Sequence, residues 1–227
     1  TSLELRFKAY YDGSLLEFGN PYDYHVNNSI TFEQFGLYVS DVGIQSVDSG
    51  FETELFEVSY LDFLGNNGSG PSLSKSITKR IGNIPVGSYS KIKLGIGVIS
   101  ELNSTFPSDY SNTHSLGNSD NYWNDLSTYF FTNLRGDLDL NGDDQTDRGF
   151  QIRGGTDDLY QQVTIPIQLI LRDNETGVLT FAFDLKKLFE LQDGEMVSIS
   201  DLPEFQNADL TFATSFMQKF PSAISLE

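Results

Sequence analysis

Apolar and polar residues alternate along the start of the chain. Leu3, Leu5, Phe7, Ala9 and Tyr11 are interleaved with Ser2, Glu4, Arg6, Lys8 and Tyr10. A period of two places the two sets on opposite faces of an extended backbone, so this segment predicts a strand with one buried face. Comparable runs recur at 29–44 (SITFEQFGLYVSDVGI), 55–63 (LFEVSYLDF), 76–84 (SITKRIGNI) and 90–99 (SKIKLGIGVI). Others follow at 127–136 (STYFFTNLRG), 149–153 (GFQIR), 162–173 (QVTIPIQLILRD) and 177–185 (GVLTFAFDL). Only NETG separates the last two, which reads as a hairpin turn between them. A final strand is predicted at 208–216 (ADLTFATSF).

Helix is scarce. DLKKLFELQDG offers Asp184 as an N-cap, Leu185, Leu188 and Phe189 on one face, and Gly194 as a stop. One further turn is expected near SDNYWNDLS. Many strands, Gly/Asn/Ser turns and no βα alternation predict an all-β, antiparallel β-sandwich with long loops and one short helix. Strand patterns resume directly on both sides of LGNNGSGPSLS (64–74), so that stretch reads as a loop within a single domain spanning 1–227.

Composition narrows the partners. There are 32 acidic and 14 basic side chains, a formal net charge of -18, which repels phosphate backbones and argues against nucleic acid. The chain has no cysteine, which excludes disulfides, thiolate metal sites and cysteine nucleophiles. No apolar run approaches the ~18 residues needed to span a bilayer. The sequence opens directly on a strand pattern, so any signal or lipid-anchor segment is expected to have been removed ahead of it.

The clearest chemistry lies in RGDLDLNGDDQTDRGF, residues 135–150. Asp139, Asn141, Asp143 and Asp147 stand at positions one, three, five and nine of a loop, with the Gln145 carbonyl between them. Calcium takes six to eight oxygens from carboxylates, amides, carbonyls and water, and this spacing supplies several in order. A second register starting at Asp137 places Gly142 sixth but Arg148 twelfth, where a bidentate Glu is needed. The flanks are strand-like, unlike the helices of an EF-hand. In the favoured register Asp144 holds the sixth position, where glycine is usual and positive φ is expected; Asp tolerates that conformation better than most residues. Five aspartates within 137–147 repel one another unless a cation sits among them. A structural calcium clip is therefore expected, against the plainer alternative of an acidic hairpin with nothing bound.

Other candidates are thinner. His25 and His114 are the only histidines, neither lies in a nucleophile motif, and no G-x-S-x-G elbow occurs. No enzymatic activity is expected. Tyr122 and Trp123 offer an aromatic surface for a sugar or apolar ligand, although core packing is the more common fate of such a cluster.

Several segments together resemble the MbnP-like family, the methanobactin-associated copper-binding proteins and their relatives. LELRFKAYYDGSLLEFG resembles its first strand pair, and FEQFGLYVSDVGI resembles its aromatic-rich strand. IPVGSYSKIKLGIGV followed by ELN resembles the family's core, NYWNDLSTYFFTNLRGDLD its tryptophan-containing turn, and FQIRGG its F-x-x-H-x-G element. The resemblance implies a β-sandwich protein that is exported to the periplasm, outer membrane or cell surface of a bacterium and often lipid-anchored. Some members bind copper. The family's histidine falls on Arg153 here, the flanking turn positions carry Asn121 and Asp125, and Trp123 matches. Any copper is left with His25 and His114 as imidazole ligands. The expected object is a non-enzymatic envelope binding protein with a calcium loop, its partner a small ligand or an envelope protein. A copper-binding protein is the alternative. A calcium-supported carbohydrate-binding module or hydrolase is the second.

Overall fold

The computed structural model describes residues 1–64, 76–191, 193–204 and 210–227. The period-two segments form strands. In chain order these are β1 (Ser2–Tyr11), β2 (Ser14–Leu15), β3 (Pro21–His25), β4 (Asn28–Ser46), β5 (Glu52–Asp62), β6 (Ile77–Gly82) and β7 (Gly87–Ile96). A short helix α1 (Ser100–Asn103) and a two-strand ribbon, β8 (Tyr122–Trp123) with β9 (Thr128–Tyr129), lie in the segment that follows. Then come β10 (Thr132–Asp139), β11 (Arg148–Gly154), β12 (Gln161–Leu171), β13 (Thr176–Asp184), α2 (Leu185–Phe189), α3 (Leu210–Met217), α4 (Phe220–Ala223) and β14 (Ile224–Leu226).

Two sheets face each other. One runs β14-β13-β1-β2, with β6 also on β1; the other runs β11-β10-β4-β7-β12, with β3 and β5 also on β4. The pairings are antiparallel except β1 with β13, which is parallel. The expected apolar face of β1 is buried throughout, Leu3, Leu5, Phe7, Ala9 and Tyr11 being at most 2% exposed. Within this sheet Phe7 stacks on Phe181 of the neighbouring β13 at 5.2 Å. Across the sandwich Phe63, stacked on Phe35 at 4.8 Å, reaches Phe183 at 5.8 Å. Phe189 of α2 plugs one end, with Tyr24, Phe150 and Phe216 around it. Each such buried aromatic is worth several kcal/mol of burial, roughly 3–5 on truncation.

Four sequence expectations need correction. The two strands flanking NETG do not pair with each other: β12 pairs with β7 in one sheet and β13 with β1 in the other. The chain turns through Asn174 (φ 60) from sheet to sheet, and Gly177 leaves room for the inward side chains Leu171, Leu169 and Leu3. The strand predicted at 208–216 is helix α3 from residue 210, while 208 and 209 lie outside the described residues. Its buried Ala213, Phe216 and Met217 recur at helical spacing. Helix is accordingly more plentiful than the one short segment expected, though among the described residues no helix exceeds eight residues. The run 127–136 is split at Phe130 and Phe131 into β9 and β10.

Other expectations hold in detail. Asp184 caps α2 by accepting from Lys186 N at 3.1 Å. The helix stops short of the expected Gly194, at Phe189, because Glu190 turns extended; Gly194 (φ 85) closes a separate turn beyond it. The turn near SDNYWNDLS is a single 3-10 turn, Ser119–Asn121. From residue 65 onward, the loop expected at 64–74 lies outside the described residues.

Candidate functional site

Strand β10 carries the chain into the aspartate-rich loop and β11 carries it out, with Leu138 paired to Arg148. Inside the loop the side-chain oxygens organise the backbone. Asp139 Oδ1 accepts from Gly142 N at 2.7 Å and Asn141 N at 3.1 Å, and its Oδ2 from Asp144 N at 2.9 Å. Asn141 Oδ1 accepts from Asp143 N and Asp143 Oδ1 from Gln145 N, so acceptors step two residues at a time. Asp147 Oδ2 accepts from Leu140 N at 2.7 Å and closes the loop. Asp144 has φ 61, the left-handed conformation expected for that position.

Asp139 is the pivot, 7% exposed at the base of the loop. Burial pushes its carboxyl up, but the backbone donors of Gly142, Asn141, Asp144 and Asp143 outweigh that and hold it below the usual carboxylate range. Asn141, Asp143, Gln145 and Asp147 are exposed around it, and half-buried Asp137 lies one turn of the strand back. Asp137, Asp139, Asp144 and Gln145 share a polar cleft of about 170 Å³ with Pro21, Ser29, Thr31 and Thr146. Among the described residues, no three His, Cys, Asp or Glu side chains converge as a metal shell. The carboxylates of the folded loop face its own amides, and a calcium shell would add Asn141, the Gln145 carbonyl and water.

The imidazoles do not come together. His25 ends β3 opposite Asn28, at the start of β4. His114 stacks on Tyr110 at 4.4 Å, and its Nδ1 accepts from Leu116 N. It lies beside Ser115, whose carbonyl takes the Tyr38 hydroxyl. Asn28 and Tyr38 are ten residues apart on β4, roughly 30 Å of strand. Met217 is fully buried in the core. The two imidazoles therefore do not fit a shared copper site.

Tyr122 and Trp123 lie in the excursion between β7 and β10, which folds over the outer face of the larger sheet. Asn103 pins that excursion, donating to Gly155 O and Asp157 Oδ1 and accepting from Tyr129 N at 2.9 Å. Tyr122 is buried against Tyr129 and Phe106. Trp123, half-buried, packs on Phe130 at 5.2 Å, and the Arg153 guanidinium lies over the Phe130 ring at 4.6 Å. This Trp123–Phe130–Arg153 stack is not apparent in the sequence. Its only sequence sign is a cationic residue in FQIRGG where apolar neighbours dominate.

These features define an all-β sandwich that carries its polar chemistry on a hairpin loop and a stacked corner of one sheet. The chain belongs to the MbnP family, whose model matches residues 1–209. Among solved structures, MbnP from Methylosinus trichosporium is similar over 100% of this chain and 98% of that one. The TM-score is 0.58 at 13% sequence identity, a likeness of fold. Curated proteins give no match.

Proposed function

We propose that this chain is a non-enzymatic, exported and lipid-anchored binding protein of the bacterial cell envelope. A calcium ion in the 139–147 loop serves as a structural clip. The observation carrying the calcium reading is the closure of the loop on itself. Asp139 receives the amide of Asp144, which holds φ 61, and oxygens of Asn141, Asp143 and Asp147 follow at calcium spacing. Membership of the MbnP family supports export and association with methanobactin-type copper biology, and this favours copper binding as the second reading. The separation of His25 from His114 counts against it.

Elemental analysis of protein exported by its own host and purified without chelators separates the two. About one calcium and no copper per chain is the expected result. Copper near one per chain with no calcium would overturn the clip reading.

A further inference from the structure

We propose that the corner formed by Trp123, Phe130 and Arg153 binds a carboxylate, with the Arg153 guanidinium as its charged anchor and the Tyr60 hydroxyl as a second donor. This goes beyond the calcium loop and rests on the proposed reading only in taking the chain to be a binding protein.

Arg6, Arg80, Arg135 and Arg172 each meet a carboxylate, and Arg148 donates to the carbonyls of Ile199, Ser200 and Leu202. Arg153 has no carboxylate within ion-pair distance among the described residues, in a chain with 32 acids and 14 bases. It is half-buried, and a partly desolvated cation without a counter-charge is costly. Burial, and then the neighbouring Arg135, push its proton affinity below the usual guanidinium range.

Its geometry is held. Phe130 supports the plane of the guanidinium, and Trp123 supports Phe130. The Gln151 carboxamide is 5% exposed. Turned so that its oxygen faces the guanidinium, it accepts from Nε at 2.9 Å and Nη2 at 2.7 Å. That leaves Nη1 without a contact to Gln151.

Register places the second donor nearby. Arg153 pairs with Asn133, Asn133 with Gly36, and Gly36 with Asp62, one row across β11, β10, β4 and β5. The Tyr60 hydroxyl lies over Gly36, where a Cβ would collide with it. That hydroxyl is buried with no hydrogen-bond partner, a state that native structures rarely leave unexplained.

The neighbouring charges set the ligand class. Glu33 pairs with Arg135 at 3.3 Å, and Asp62, at the far end of the row, accepts from Leu64 N. One guanidinium edge and one hydroxyl therefore face the ligand, which matches a single planar carboxylate. A polyanion would meet the field of a chain with net charge -18.

Trp123 is the chain's one tryptophan, so its fluorescence reports on this corner. The test is a titration with sodium benzoate in chloride-poor buffer, with acetate and inorganic phosphate in parallel, with and without chelator. A saturable change in emission is expected with benzoate and persists with chelator. Arg153→Gln weakens it by about tenfold or more, the loss expected for one charged hydrogen bond. Tyr60→Phe weakens it several-fold yet melts no lower than the parent, because only an unpartnered hydroxyl is removed. Arg153→Lys, which keeps the charge but not the fork, carries the test if Arg153→Gln does not fold. An unsaturable response, an unchanged response in the Arg153 variants, or equal binding of phosphate would overturn the proposal. None of these outcomes bears on the metal analysis.

Discussion

Asp144 shows how one residue records the function of its loop. Its φ of 61 is a conformation that costs most L-residues about 1–2 kcal/mol and Asp rather less. Asp144→Ala is expected to lower stability by about 1 kcal/mol, whereas Asp144→Gly should cost nothing there; urea unfolding of both variants checks this. The position was legible because its neighbours are oxygen-bearing side chains at fixed local spacing. Glu4 was not legible as a buried ion, since it occupies the polar side of β1. Arg80 first, and then Arg6, hold its carboxyl below the usual range against the opposing effect of burial. A depressed folded pKa stabilises above the unfolded value, and that stabilisation disappears as the pH falls through the folded one. The stability gap between the parent and Glu4→Gln should therefore be full above about pH 5 and shrink as the pH falls from there through the lowered folded value. A gap that persisted in acid would mean Glu4 acts through packing rather than charge.

At the scale of elements, β10 links the core to the loop, and its glycine makes that path possible. A Cβ on Gly136 would lie 1.9 Å from the carbonyl oxygen of Thr31 on β4, at the point where the β10–β4 register shifts. Backbone cannot yield as a flexible side chain does, so Gly136→Ala should cost roughly 3 kcal/mol. Urea unfolding measures this, and an unchanged midpoint would show that β10 slides past β4. The strands themselves were readable wherever one face is buried, as in β1. The pairing of β12 was not, because a turn with Asn at positive φ serves equally well for a hairpin or for a step between sheets. Helix α3 was misread because LTFATSFM alternates nearly as well as it repeats at three and four, and its packing on β11 decides the matter. The stacked corner depends on the register of three segments distant in sequence, which no local pattern encodes.

Across the whole molecule, the 139–147 loop joins parts of the chain that are far apart in sequence. Asn28 donates to Leu140 O at 2.7 Å, and Gly142 lies against the Asn27 carbonyl. At the exit from the loop, Arg148 gathers the carbonyls of 199, 200 and 202, and β11 continues that contact through Gln151 N to Pro203 O. An ion that fixes the loop therefore braces the start of β4, the β10–β11 hairpin and the C-terminal segment together. It also screens five aspartates in a molecule of net charge -18. At about 100 times its dissociation constant, calcium binding to the folded state alone adds about 2.7 kcal/mol. For a chain of this size that is roughly 5–10 °C in Tm. Chelator should lower the melting temperature of the parent by that much and speed hydrogen exchange at 27–28, 139–148 and 199–203 together. In Asp143→Ala, which lacks one ligand, added calcium should recover little of the difference. If parent and variant melted alike in excess calcium, the loop would fold on its own hydrogen bonds, without an ion bracing the three segments.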